Sequence, residues 1–192
     1  MIDSRKKSPG RPRSATSHQA MLKATLELLA EVGFDAMGIE AIAVRAGVGK
    51  TTIYRRYRSK EELVADAIES LREEVIIPDE GTLWADMDAL IANAAQITLT
   101  PLGRQTVAMI IGSAASNPQF AQIYWEKYLQ PRQQAFTTVI ERAKARNEVR
   151  SDLDPALVFD TMSGIMLYAL LFPPTPESWT THVRRALSLL FK

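Results

Sequence analysis

Ala46-Gly47-Val48-Gly49-Lys50-Thr51-Thr52-Ile53-Tyr54-Arg55-Arg56-Tyr57-Arg58-Ser59-Lys60-Glu61-Glu62-Leu63 is the stretch on which the fold of this chain turns. Ahead of it, Ile39, Ile42, Ala43 and Ala46 recur at helical spacing. Gly47 and Gly49 are both placed to take the positive φ that ends a helix, and Val48 between them is expected to drop into the core. A second helix begins at Lys50, with Ile53 and Tyr57 four apart on its inner face and Lys50, Thr51, Thr52, Arg55 and Arg56 outside. Two short helices around a glycine turn, the second carrying a basic and hydroxyl face, suit the major groove of DNA. The stretch reads as a helix-turn-helix.

Gly47-Val48-Gly49-Lys50-Thr51 also looks like the end of a phosphate-binding loop, which would make the chain a nucleotide-binding enzyme using Gly49-Lys50-Thr51. That loop needs a glycine five residues before Gly49, behind a strand. Val44 stands there, in a helical pattern.

Working outward, the segment from Ser17 to Val32 repeats Met21, Leu22, Thr25, Leu28, Leu29 and Val32 at threes and fours and stops at Gly33. Phe34 follows as an anchor, and the three helices make a compact head. On the other side, Ser59-Lys60-Glu61-Glu62 is a capping box, with Leu63, Ala67, Ile68 and Leu71 inward, so a linking helix from Ser59 to about Glu74 leads away. The body beyond reads as helical throughout. Leu83 to Thr98 forms one helix, and Thr100-Pro101, Asn117-Pro118, Asp154-Pro155 and Thr175-Pro176 each open another by a cap followed by proline. The helix from Asn117 either kinks or restarts at Pro131. The expected fold is all-α: an N-terminal three-helix helix-turn-helix head joined by a linking helix to a C-terminal helical ligand-binding and dimerisation domain. In domains, 1–16 is a flexible basic arm, 17–60 the DNA-binding head and 61–192 the regulatory and dimerisation body.

Composition narrows the function. The 192 residues hold no cysteine and two histidines, His18 and His182, far apart in sequence. Thiolate metal sites, cysteine nucleophiles, disulfides and a histidine-rich metal cluster are therefore excluded, and no cofactor, metal or enzymatic activity is expected. The formal net charge is only +1, but residues 1–60 carry twelve Lys and Arg against five Asp and Glu, a net of +7, leaving −6 for the rest. A basic head on an acidic body is the electrostatic footprint of a DNA-binding module attached to one with other partners. No secretory signal or bilayer-length apolar run is visible, so a cytoplasmic protein without membrane contact is expected. In the arm, Arg11-Pro12-Arg13 after Pro9-Gly10 resembles an AT-hook-like minor-groove segment, with a disordered tail of general phosphate affinity as the alternative.

The run Leu29-Ala30-Glu31-Val32-Gly33-Phe34 followed by Ile42 through Leu63 resembles the TetR family of transcriptional regulators over about a third of the chain. The resemblance implies a dimeric, ligand-responsive repressor of a palindromic operator whose last two helices dimerise. By resemblance, Lys50, Thr51, Thr52 and Arg56 are base-edge candidates, Tyr54 and Lys60 match phosphate-gripping positions, and Arg55 shares their outer face. Two departures stand out: Met37-Gly38 where the family commonly has hydroxyls, and His18 where it usually has arginine.

For the body, Trp84, Met87, Met109, Trp125, Tyr128, Phe136, Met162 and Tyr168 are either pocket or core. They make a small apolar or aromatic effector the default. The run from Phe159 to Phe172 is apolar on all sides, which implies cover by a second subunit. Met166, Leu170, Trp179, Val183, Leu187 and Leu190 are the interface candidates. A body serving as a protein-interaction module without a small ligand is the alternative.

Overall fold

The structure, a computed structural model, describes residues 13–71 and 77–191, with the backbone alone for Arg13 and Ser14. Arg11, the side chain of Arg13 and the far end of the expected linking helix lie outside the described residues. Those described form α1 (Arg13–Ala36), α2 (Ile39–Ala46), α3 (Lys50–Tyr54), α4 (Lys60–Glu69), α5 (Leu83–Thr98), α6 (Pro101–Ser116), α7 (Pro118–Tyr124), a π turn (Trp125–Leu129), α8 (Gln130–Ala145), α9 (Pro155–Leu171) and α10 (Trp179–Leu187), with no strand among them. Two compact units divide between Ala67 and Ile68, inside α4 and several residues beyond the boundary expected from sequence.

The first unit is the three-helix head. Met21, Ala24, Leu28, Leu29, Phe34, Met37, Ile42, Ala43, Ile53 and Tyr57 are all buried. Buried Thr25 satisfies its hydroxyl by donating to the Met21 carbonyl one turn back, 2.8 Å. Gly33 leaves the helical region at φ 76°, so the first helical run breaks where the sequence indicated. Val32 does not join the apolar stripe. It is half exposed, because the chain turns away at the next residue.

The second unit is a bundle around Leu83, Met87, Leu90, Ile91, Phe136, Val139, Ile140, Leu153, Val158, Met162, Trp179, Val183 and Leu187. Its helices start on side chains that accept from orphan N–H groups. Thr82 accepts from Ala85 N, Thr100 from Gly103 N, Asn117 from Phe120 N, and Asp154 from Ala156 and Leu157 N. The last helix corrects the sequence reading: Ser178, accepting from Thr181 N, opens it at Trp179, and not Thr175-Pro176. Around Pro131 the chain passes from the π turn into α8, which starts at Gln130 with the proline in its first turn. The Gln130 N–H donates to Trp125 O, five residues back, so the hydrogen-bond register slips by one residue just ahead of the proline that has no N–H to give.

Candidate nucleic-acid interface

The turn between α2 and α3 is closed by backbone chemistry. Gly47 sits in the left-handed region at φ 65°, and the N–H groups of Gly47 and Val48 donate to Val44 O and Ala43 O at 3.2 and 3.0 Å. Only Gly47 needs the positive φ. Gly49, expected to share it, is extended at φ −74° and occupies the N-cap of α3 without a side-chain cap. Val48 is half-buried. The α2 N-terminus likewise starts at Gly38 with no side-chain cap, while Met37 before it is buried.

Of the five residues of α3, only Ile53 is buried. Lys50, Thr51, Tyr54, Arg55 and Arg56 are exposed and Thr52 is half-buried, so the structure brings the expected reading residues onto one outer surface. Two of them are already engaged. The Lys50 ammonium pairs with the Glu40 carboxylate of α2, and this hydrogen bond and charge hold the Glu40 carboxyl below its ordinary range. One of the three Lys50 N–H donors is thus held by Glu40. Lys60 is drawn further from its expected role. Its ammonium donates to Phe34 O at 2.9 Å and Met37 O at 3.1 Å, and lies 4.4 Å from the centre of the Phe34 ring. With two of three N–H donors turned inward, Lys60 ties the start of α4 to the α1–α2 connection and has at most one left for a phosphate.

Further contacts brace the head, of which only the Ser59 capping box was legible from spacing. Arg45 of α2 pairs with Glu31 of α1 at 2.6 Å. Arg58 N donates to Glu62 Oε2 at 2.9 Å while Glu62 N donates to Ser59 Oγ at 3.2 Å, so the capping box closes on the residue before the cap. His18, noticed in the sequence only as a departure, places Nε2 2.7 Å from the Tyr57 hydroxyl. Tyr57 is in the core as expected, and burial first, then Asp66, pushes its phenol well above the ordinary range.

In the second unit the nominated pocket residues do not surround one space. Met87, Phe136 and Met162 are core, Trp84 packs on that core, and Trp125 and Tyr168 are exposed. Met109 and Tyr128 are half-buried. A cavity lies elsewhere: about 470 Å³, lined by Leu71, Gln96, Ile97, Thr98, Thr100, Leu102, Gly103, Thr106 and Val107. Among the described residues, no charged side chain lines it. Thr100 and Thr106 donate their hydroxyls to Ile97 O at 3.0 Å and Leu102 O at 2.8 Å, so both present lone pairs and no proton to an occupant. Gly103 is obligatory in this wall, since a Cβ there would fall 2.0 Å from Ile97 O. Among the described residues there is no acidic or histidine cluster fit for a metal ion, and no helix long and apolar enough to cross a membrane.

A helix-turn-helix with an exposed basic reading face, followed by a separate helical unit, defines a DNA-binding transcriptional regulator. Comparison with known proteins specifies which. The profile described as bacterial regulatory proteins, tetR family, matches residues 21–67, and that of the tetracyclin repressor-like C-terminal domain matches 77–189. The chain belongs to the TetR family. YdeS of Bacillus subtilis (strain 168), an uncharacterised HTH-type transcriptional regulator, is 31% identical over 163 residues, 84% of this chain and 82% of that protein. Among solved structures, the TetR family regulator SCO0332 aligns with a TM-score of 0.63 at 26% identity, over 90% of this chain and 97% of its own. The flavonoid-responsive regulator FrrA shares the fold, with a TM-score of 0.70 at 22% identity over 92% and 95%.

Proposed function

We propose that this regulator is a dimeric repressor of a palindromic operator, released when an uncharged, largely apolar small molecule enters the second unit. The observation that carries the effector reading is the cavity, whose described wall combines aliphatic side chains, threonine hydroxyls and the Gln96 amide without a formal charge and includes Leu71, just past α4. Its size lies within the range of small-molecule sites, about 300–1,000 Å³. Leu71 follows the helix in which the two units divide, so an occupant touches the segment leading from the reading head. An aromatic effector is compatible, and FrrA is a flavonoid-responsive bearer of the same fold.

The dimer face is reassigned. Leu170, Trp179, Val183 and Leu187 are buried within the single chain, and Met166 and Leu190 pack against the same core, so they are not the uncovered surface. What α9 leaves outside is a stripe at Leu157, Gly164, Tyr168 and Leu171, with Phe172 next to it. The four large side chains are 55–64% exposed, and a Cβ on Gly164 would meet nothing within 4 Å. An apolar stripe with a glycine at its centre lets two copies of α9 approach closely across a two-fold axis. Lys50, Thr51, Thr52 and Arg56 then read base edges, while Tyr54 and Arg55 grip phosphates.

The test is a thermal-shift screen of uncharged compounds against the wild-type protein and a Val107→Trp variant that fills the cavity. Hits that stabilise the wild type and not the variant support the site. Hits that stabilise both equally place the ligand elsewhere.

A further inference from the structure

α3 has few constraints of its own. It is five residues long, buries one side chain and has no side-chain cap. A helix held by one buried side chain, Ile53, and an exposed ion pair from Lys50 to Glu40 can pivot about Ile53. The second anchor is Tyr57, whose N–H donates to Ile53 O at 3.0 Å and whose ring is 4% exposed. Its hydroxyl meets two partners from different helices: His18 of α1, with Nε2 at 2.7 Å and the two rings 6.2 Å apart and 24° from parallel, and Asp66 of α4.

The direction of these bonds follows from the groups. An ionised carboxylate only accepts, so the single Tyr57 O–H donates to Asp66, and the Tyr57 oxygen accepts from the His18 Nε2–H. We infer that His18, Tyr57 and Asp66 form a directed hydrogen-bond relay that fixes the tilt of the reading helix, which makes His18 a positioning residue for operator recognition. Arg56 is the residue before Tyr57, and a bidentate guanidinium contact tolerates little angular error. Loss of the relay therefore loosens base reading and leaves the phosphate attraction in place. Burial of the phenol, which disfavours its ionised form, keeps the donor present across the working range.

The relay rests on α3 being the reading helix, and the experiment separates the two. A duplex is selected by the wild-type protein from a randomised library, and affinities are measured for it and for each single base-pair change. The set is then repeated with Tyr57→Phe, His18→Leu, the double variant and His18→Gln, whose side-chain amide can donate to the same oxygen. Each of the first two is expected to reduce discrimination about tenfold at the base pairs that Arg56→Ala also affects, with random-sequence affinity unchanged. The double variant should be no worse than either single one, and His18→Gln should recover most of the loss. Melting curves confirm folded protein at the assay temperature. Unchanged discrimination in Tyr57→Phe and His18→Leu, multiplying losses in the double variant, or equal losses on every sequence overturns the relay alone. A wild-type selection without sequence preference overturns the reading face and the relay with it.

Discussion

The two units solve opposite problems. The head is small and its α2 and α3 span only eight and five residues, so side-chain braces help to set its geometry: Lys60 onto two carbonyls, Arg45 onto Glu31, His18 onto Tyr57. Its working surface is what remains outside. The body packs its helices around one apolar cluster, and the features to which we assign its function are where packing is incomplete: a cavity beside the α5–α6 turn and an uncovered apolar stripe on α9. Residue types therefore point to the job of the head, whereas that of the body is inferred from its packing.

The sharpest way to break this division is to charge the α9 stripe. Tyr168→Glu with Leu171→Glu should give a folded monomer by light scattering. Operator affinity should fall by about 10²–10⁴-fold, the usual advantage of two linked binding modules. A dimer that persists with full affinity removes the stripe from the account.

Next in size is the ion pair that holds the last turn of α4. Glu69 pairs with Arg132 of α8, both side chains no more than 20% exposed, and Glu69 Oε2 also accepts from the Tyr124 hydroxyl at 3.0 Å. Arg132→Met strands a mostly buried carboxylate and should cost about 3–5 kcal/mol in chemical denaturation. Adding Glu69→Gln should restore part of it. Equal losses in both variants would show that the guanidinium's packing matters and not its charge.

In the head, Arg56→Ala should cost about 1–3 kcal/mol at particular base pairs if its contact is bidentate. Lys60→Ala should instead lower stability by about 1–2 kcal/mol, the worth of two hydrogen bonds, with little change in the salt dependence of binding. A clear flattening of that salt dependence would return Lys60 to the phosphates.

The smallest effect concerns acid. Arg146 holds the Glu148 carboxyl below its ordinary range, and Arg185 and then His182 do the same for Glu177. Both carboxyls titrate lower when folded than unfolded, so their stabilisation is present above the unfolded value of about 4.3 and is lost as pH falls through the folded one. The melting temperature should be level from neutrality to about pH 5 and then decline, less steeply in Glu148→Gln. A decline that begins near neutrality would point to other groups.

How much was legible differs in the same way. The helix-turn-helix was readable because its parts are local: the glycine at the turn, the Ile53–Tyr57 spacing, the Ser59 cap. The body's caps at Thr100, Asn117 and Asp154 were readable for the same reason, since each acts on N–H groups two or three residues away. Periodicity reports that a face is apolar and is silent about what covers it. Trp179, Val183 and Leu187 therefore resembled an interface and are core, while Leu157, Tyr168 and Leu171 belong to the same all-apolar helix and stay uncovered. The cavity escaped notice because aliphatic and hydroxyl residues line it and the aromatic and methionine candidates do not. The bond from His18 to Tyr57 spans 39 residues, a separation at which spacing carries no signal.

In the proposed function the body's ligand and the head's operator oppose each other through the protein. The direct test is to titrate a cavity-dependent hit from the thermal-shift screen into the protein by calorimetry, with and without saturating selected duplex. Linkage requires the duplex to weaken ligand binding by the same factor by which the ligand weakens duplex binding. Equal and opposing factors are expected, on the order of 5–150 as is usual for coupled sites. A ligand affinity indifferent to the duplex would contradict the proposed opposition.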